Sequence, residues 1–418
     1  MSKGNIIPEL HLSTLQKFIE RSTTPPSMVL SNMFPVNNAP SDTIEWESRY
    51  GSAEMIPFVA RGSRGPSFGD DGVGKHSMKA AYFASDRFFG EEFLNNLRKP
   101  GTRQEKMSGQ SEIARAMSRM LNSVDRRREY MFSKMLFDGS MSYTIKGSSA
   151  APTFASVSWG IPTSHQVTLG STSYWYGTSA ETADRDVFAD IFAMKNRLAD
   201  SLEMEVTSLN MFLNSRLLQS LVKDSGIRDL VQTQNISEAQ LVNNPAGTIA
   251  QILGVGSITP YDASYTITSP LAQAYTSGTT IYVTSPEDFV VGADVWIKNS
   301  VDGAAGPRAT ITAVNMATGA ITLSAALTGV TGVPFKSQLA MRQFFLSPKK
   351  IVAVVPNVDG MPIAEMMQAP HGNEGIYGKR MRTKMEEYPD GQRLIMEDLC
   401  LPVCYFPSAV YQLTVHED

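Results

Sequence analysis

"SVDRRREYMFSKMLFDGSMSYTI", Ser123 to Ile145, carries three consecutive arginines into a glycine and then into a β-prone run. Working back from it, Ile113, Met117, Met120, Val124, Met131 and Met135 are spaced by 4, 3, 4, 7 and 4 residues. That spacing is an apolar stripe at helical period. It predicts a helix over Glu112–Phe137, with Ser111 as N-cap, Glu112 in the positive first turn and Gly139 as a left-handed C-terminal cap. Such a rod is about 39 Å long, and one stripe covers only one side of it. The single gap in the stripe falls at Arg127.

Successive helical residues point about 100° apart, so Arg126, Arg127 and Arg128 fan around the axis. A purely solvated face leaves at least one of them on the packed side, where an unpaired charge is costly. A carboxylate or a phosphate is therefore required. Asp125 and Glu129 are local candidates. A carboxylate on another copy of the chain is the favoured partner, and a DNA phosphate is the next.

The chain has 418 residues, 42% hydrophobic and 19% charged, with a formal net charge of -4. Its length suits two to three domains with a sizeable core. The acidic balance argues against tight, sequence-independent DNA binding as its main task. Two cysteines, Cys400 and Cys404, make no disulfide framework. Four apart on a strand they lie about 13 Å from each other, out of bonding reach, so buried core thiols are expected. The start, "MSKGNIIPELHL", lacks the apolar region of a signal peptide. No run of 18 apolar residues exists, so no transmembrane helix and no membrane partner are expected. A reducing cytoplasm is the expected folding compartment.

Along the chain, the first 40 residues are broken by prolines and have little core of their own. Weakly alternating strands flank the polar, Gly-rich stretch Gly62–Gly74, which reads as a long two-stranded excursion that needs a partner surface. After the long helix come a β region (Met141–Lys146 and Val157–Leu169), a helix over Ala183–Leu202 and a strand over Val206–Leu213. Helices over Ser215–Lys223, capped by Asn214, and Thr248–Leu253, closed by Gly254, follow. Between Ser269 and Lys336, "TTIYVTS", "VVGADVWIKN", "ATITAVN" and "GAITLSA" are short strands at regular spacing, with a hairpin turn at Asn315–Gly319. They predict a small all-β domain inserted in a loop of a mixed α and β domain. The C-terminal part alternates around Pro389-Asp390-Gly391 and ends on a strand over Ala409–Val415.

Little of this asks for catalysis. "GDDGVGK", Gly69–Lys75, has phosphate-loop spacing, but His76 follows where a Ser or Thr would hold magnesium. Asp70 and Asp71 would also place negative charge in the cradle, so a mobile loop tip is the stronger reading. The five histidines are scattered without metal-ligand spacing, and loop or surface positions are expected for them. No catalytic residue, metal or cofactor is assigned.

The order of arm, Gly-tipped excursion, isolated long helix, β region and mixed domain resembles the major capsid proteins of tailed bacteriophages, most closely the phage lambda type. "RRREYMFSKMLFDGSMSYTI" looks like the end of that family's spine helix, and "GIYGKRMRTKMEEYPDGQRLIMEDLCLPVCYFPSAVYQLTV" like its C-terminal return. The resemblance implies an α+β fold of the Hong Kong ninety-seven type. It implies an N-terminal arm at 1–40, an extended loop at 41–95 and a peripheral domain with the spine helix at 96–177. An axial domain at 178–374 would be interrupted by the inserted β domain at 269–336. Return strands at 375–398 and axial strands at 399–418 would close the chain.

The function implied is a structural shell subunit, not an enzyme, forming hexamers and pentamers of an icosahedral virion head. Its implied partners are itself, a separate scaffolding protein, a portal protein and non-specifically contacted double-stranded DNA, with a decoration protein left open. Arg126, Arg127, Arg128, Gly69, Asp70, Asp71 and Lys75 are the expected intersubunit contacts. An encapsulin-like compartment is the same-fold alternative, and an NTP-binding enzyme using Gly69–Lys75 is the alternative of another class.

Overall fold

A computed structural model describes residues 15, 17–19, 25, 27–50, 72–90, 103–145, 153–177, 181–206, 208–233, 238–275, 278–286, 289–298, 308–327, 337–372, 375–387 and 390–416. Gly69, Asp70, Asp71 and the rest of 51–71 lie outside them.

Strand Asp390–Cys404 organises the first sheet. Along one edge it pairs antiparallel with Ala81–Gly90, from Gly391↔Gly90 to Cys400↔Ala81. Along the other it pairs first with Arg380–Glu387 and then with Ala364–Gln368. Val36–Asn38 adds a parallel strand beyond Ala364–Gln368. Leu394, Met396, Asp398 and Cys400 alternate onto one buried face of the central strand.

The long helix packs on that sheet. It runs over Arg103–Ser133, 31 residues or about 46 Å, so it starts eight positions before the expected Ser111 cap. Upstream, Gln104, Glu105, Lys106 and Met107 are good helix formers, and they carry the helix past the first cap-like residue. Ile113, Ala116, Met117, Met120, Leu121 and Val124 meet Phe89, Met381, Leu394 and Met396 in one apolar cluster. The helix loosens into a π-turn over Lys134–Asp138 and stops at Gly139, which is left-handed at φ 70°. A Cβ there would also press on Ile161 Cδ1 at 3.1 Å, so glycine is needed for both conformation and space.

The main core lies behind the helix's C-terminal half. A second sheet in the order Gln166–Thr168, Val410–Thr414, Lys350–Val354, Asn210–Leu213 and Ser257–Pro260 brings distant segments together. Helices Val187–Leu202, Ser215–Val222 and Pro245–Leu253 bury their apolar faces in the same core. Asn214 accepts from Arg216 N at 3.0 Å as the expected cap, and Gly254 closes the third helix at φ 61°. Lys195 Nζ donates to the carbonyls of Leu253 and Gly254 at 2.8 and 2.7 Å, placing a cation at that helix's negative end. Ser225–Thr233 and Glu238–Asn243 are further helices that the periodicity did not suggest. Gln166–Thr168, expected with the β region after the long helix, instead pairs parallel with the C-terminal strand.

A third sheet has its own core. Its six strands run Ser264–Pro270, Gln338–Phe344, Asp294–Lys298, Ala309–Asn315, Ala320–Leu323 and Thr280–Tyr282. The ends meet through the Leu271↔Val283 bridge, and Ala272 N donates to Tyr282 O at 2.8 Å. The sheet thus closes on itself and removes its free edges. Val295, Ile297, Ile311, Ile321, Leu339 and Met341 fill the interior. The chain leaves and returns at adjacent points, where Phe345 N donates to Ala263 O at 2.9 Å.

Because this barrel has a separate core and adjoining ends, a fragment spanning 263–345 is expected to unfold in one cooperative transition by circular dichroism. A fragment without near-ultraviolet signal or transition would show that the barrel depends on the body beneath it.

Candidate functional site

The arginine stretch occupies the point where the long helix changes from an apolar to a polar buried face. Arg126 and Arg127 are exposed, whereas Arg128 is buried together with Asp125 and Glu129. The expectation that Arg127 lies in the stripe is corrected by one position. From Val124, both i+3 and i+4 are compatible with helical period, and packing selects i+4. Arg127 instead holds its guanidinium 5.4 Å from the Tyr130 ring centre.

Each buried charge is met by a distant segment, not by its helical neighbour. Arg128 Nε and Nη2 donate to Asp398 Oδ2 and Oδ1 at 2.7 and 2.8 Å, a bidentate pair. The carboxylate found for Arg128 is therefore in its own chain. With its amide oxygen turned to the guanidinium, Gln368 accepts from Nη1 and Nη2 at 2.9 and 3.0 Å. Gly378 leaves the room: a Cβ at that residue would stand 2.9 Å from Arg128 Nη2. Asp125 is paired with Lys379. Glu129 accepts from Leu30 N, Ser31 N, Ser31 Oγ and the Tyr261 hydroxyl at 2.9, 2.8, 2.7 and 2.8 Å. It thereby caps the short helix Val29–Met33, whose own N-cap residue, Met28, makes no side-chain cap.

The electrostatics follow from burial. Burial pulls against the charge on Arg128, but the Asp398 carboxylate outweighs it and holds the arginine firmly protonated. The Tyr261 phenol is pushed well above its ordinary range by burial and then by Glu129. Cys400 and Cys404 are free and buried, as expected. Burial, then Asp398, raises the Cys400 thiol well above its usual value, and burial, outweighing a hydrogen bond with the Phe406 backbone, takes Cys404 to about 12. Neither is a poised nucleophile. Beside this cluster, Glu397 accepts from Tyr82 Oη and Arg382 Nε, both at 2.7 Å. Burial opposes its charge, but these bonds and the nearby arginines hold its carboxyl below the ordinary value.

Asp398, Lys379 and Glu397 were missed as partners in the sequence. Asp398 did leave a signal, because it stands in register with inward-facing Leu394, Met396 and Cys400. An acid on a buried strand face needs a cation.

The excursion supplies the other expected contacts. Thr43–Tyr50 and Gly72–Lys79 pair antiparallel from Thr43↔Lys79 to Tyr50↔Gly72. Lys75 sits in this pairing opposite Glu47, exposed, with Nζ 3.7 Å from its carboxylate. Gly72–Lys75 is thus strand, and strand Ala81–Gly90 follows it. A phosphate loop has to lead into a helix N-terminus, so the nucleotide-binding alternative is corrected. Ile44, Trp46 and Ser48 face the body, and Trp46 stacks on His76 with ring centres 5.2 Å apart. A cavity of about 740 Å³ lies between this hairpin and Met361, Glu365 and Tyr405. Two of the described histidines, His165 and His371, are buried where surface or loop positions were expected; His165 lies between Val410 O at 3.0 Å and Ser201 Oγ at 2.7 Å.

Among the described residues, no three His, Cys, Asp or Glu side chains converge as a metal site, and no helix is long and apolar enough to cross a membrane. A long helix laid over one sheet, a second sheet of distant segments and a projecting two-stranded excursion define a viral shell subunit of the Hong Kong ninety-seven type. The chain belongs to the family of phage major capsid protein E, whose pattern matches residues 11–290. It is therefore a structural capsid protein of a tailed phage, placed in the virion. Among solved structures it is similar to the prophage capsid protein of Escherichia coli CFT073, at 12% identity over 97% of this chain and 99% of that one, with a TM-score of 0.50. A phage-related protein from Bordetella bronchiseptica RB50 is similar at 11% identity over 97% of each chain, with a TM-score of 0.47. No curated protein matches the sequence.

Removing one member of a buried ion pair strands the other, at a cost of about 3–5 kcal/mol. Arg128→Met and Asp398→Leu are each expected to destabilise the subunit by about that much in chemical denaturation. The double variant is expected to regain most of the loss; additive losses would refute a coupled pair. Because Glu397's folded value is depressed, its contribution is present above about 4.5, the ordinary carboxyl value, and fades as pH falls through the lower folded value. Glu397→Gln should flatten the acid limb of a stability-against-pH curve, and an unchanged limb would remove Glu397 from that dependence.

Proposed function

We propose that this subunit closes into hexamers and pentamers of an icosahedral head, without catalytic activity, in the cytoplasm of the bacterial host. The excursion carries this reading. Among the described residues its two strands pair only with each other, and Glu45, Glu47, Arg49, Val73, Lys75 and Ser77 along them are exposed. A two-stranded ribbon is marginal alone, and a neighbouring subunit's surface would stabilise it by mass action. The arm, extended loop, peripheral and axial regions at the boundaries given above supply the division of labour. Arg127, Lys75 and the tip residues Gly69, Asp70 and Asp71 are the proposed intersubunit contacts; Arg126, expected with them, stands about 100° from Arg127 around the helix and is assigned a different partner below. Arg128, already neutralised within its chain, supports that contact from behind. A scaffolding protein and a portal protein are the proposed assembly partners, and double-stranded DNA is the cargo.

Co-expression with a scaffolding protein is expected to give closed shells by electron microscopy; monomers or open fibres alone would sink this reading. Arg127→Ala is expected to leave subunit stability within about 0.5 kcal/mol, as for most surface changes, while lowering shell yield. Equal loss in both measurements would make Arg127 a local structural residue.

A further inference from the structure

The outer side of the long helix is not neutral. Arg115, Arg119 and Arg126 are exposed. At 100° per residue they fall within an arc of about 40°, spread over about 16 Å of helix. They therefore form one ridge. Every other cation on the C-terminal half of the helix is engaged: Arg128 with Asp398, Lys134 with Asp138, and Arg127 over Tyr130. The three ridge arginines have no carboxylate or aromatic partner among the described residues. Glu112, which flanks the ridge, is 3.6 Å from Arg87.

A second feature lies on the same line. Arg87, Ser111, Glu112, Arg115, Ala116 and Arg119 line a cleft of about 250 Å³ between the helix and strand Ala81–Gly90. The cleft contains three guanidinium groups against one carboxylate.

We propose that this ridge is the subunit's contact with the phosphate backbone of nucleic acid, and hence that the exposed side of the long helix faces the enclosed genome. This rests on the shell function proposed above. The composition selects phosphate over an acidic protein. Ser118 and Asn122 lie between the arginines, and both are exposed. Hydroxyls, amides and arginines are the groups that contact phosphate and sugar oxygens. Protein partners instead bind around buried apolar or aromatic anchors, and the ridge has none. With three cations for each copy, the contact is sequence-independent and salt-sensitive.

The test uses the full-length unassembled subunit and a mixed-sequence duplex of about 20 base pairs, a length chosen to exceed the ridge, which spans about five base pairs at 3.4 Å each. Binding is read by fluorescence anisotropy between low and moderate salt. Each phosphate neutralised contributes about 0.9 to the slope of log affinity against log salt. Arg115→Gln/Arg119→Gln/Arg126→Gln is expected to reduce that slope by about 2.7, whereas the three lysine replacements should retain it. Lys75→Gln, on the excursion, should leave the slope unchanged. Should the triple glutamine variant not fold, Arg115→Gln and Arg119→Gln singly are each expected to lower the slope by about 0.9.

An unchanged slope in variants that fold overturns the proposal. Equal, ridge-dependent binding of a polyglutamate of matched charge also overturns it, in favour of an acidic protein partner. Shells formed normally by a glutamine variant with unchanged DNA affinity would reject the ridge and leave the shell function standing. Failure of the wild-type chain to form shells would reject the shell function instead.

Discussion

A charge taken out of water must find its opposite, and that requirement concentrates on one turn of the long helix. Asp125, Arg128 and Glu129 are buried side by side, yet each is satisfied from elsewhere: Lys379, Asp398, the helix beginning at Val29, and Tyr261. Four remote stretches are therefore held to one point. Hydrophobic burial would tolerate sliding of the helix along its sheet, because Met and Leu adapt to several neighbours. A bidentate guanidinium–carboxylate pair does not, since both oxygens must meet both nitrogens. The apolar stripe supplies most of the attraction, and the polar turn sets the register. Gly378 and Gln368 belong to the same device, one leaving space for the guanidinium and the other filling its remaining donors.

This explains which parts of the molecule were legible in the sequence. The long helix, its Gly139 stop, the Asn214 cap and the β-rich stretch between Ser269 and Lys336 depend on local periodicity and turn chemistry, and these are written in consecutive residues. The helix's start was misplaced because Ser111 resembles a cap, while the residues before it have helical propensity enough to continue. Partners of the buried charges could not be read, since they lie up to 270 residues away in the chain and spacing carries no information over such separations. Choosing Arg127 over Arg128 reflects the same limit. A helix of 3.6 residues per turn leaves a one-residue ambiguity after a gap of seven, and only the opposing strand resolves it.

Two β elements of this chain handle exposed edges in opposite ways. The barrel beginning at Ser264 joins its first and last strands through Leu271 and Val283 and keeps an apolar core of its own. It is self-sufficient, so it can project from the body without recruiting neighbours. Among the described residues, the hairpin of Thr43–Tyr50 and Gly72–Lys79 has no further strand on its outer edges; it rests on the body through Ile44, Trp46 and the Arg49 N–H, which donates to Tyr405 O at 2.7 Å. An open edge is a hazard in a solitary protein and a resource in one that assembles. The contrast within one sequence suits a subunit whose stability is completed by its neighbours at one place and kept private at another.

Charge is partitioned on the same principle. The chain carries a formal -4, and the buried arginine and lysine around the long helix are neutralised internally, so they create no field outside. Among the described side chains of that helix, what remains without a partner is a short ridge of three cations. A wall of strong positive charge would immobilise packaged DNA, whereas a wall without any would leave phosphate repulsion unrelieved along the shell surface. A few arginines for each copy, repeated over a lattice, give many weak contacts whose sum is large while each exchanges freely. On the proposed reading, the acidic balance that argued against a DNA-binding protein is what keeps a DNA-facing surface weak enough to fill.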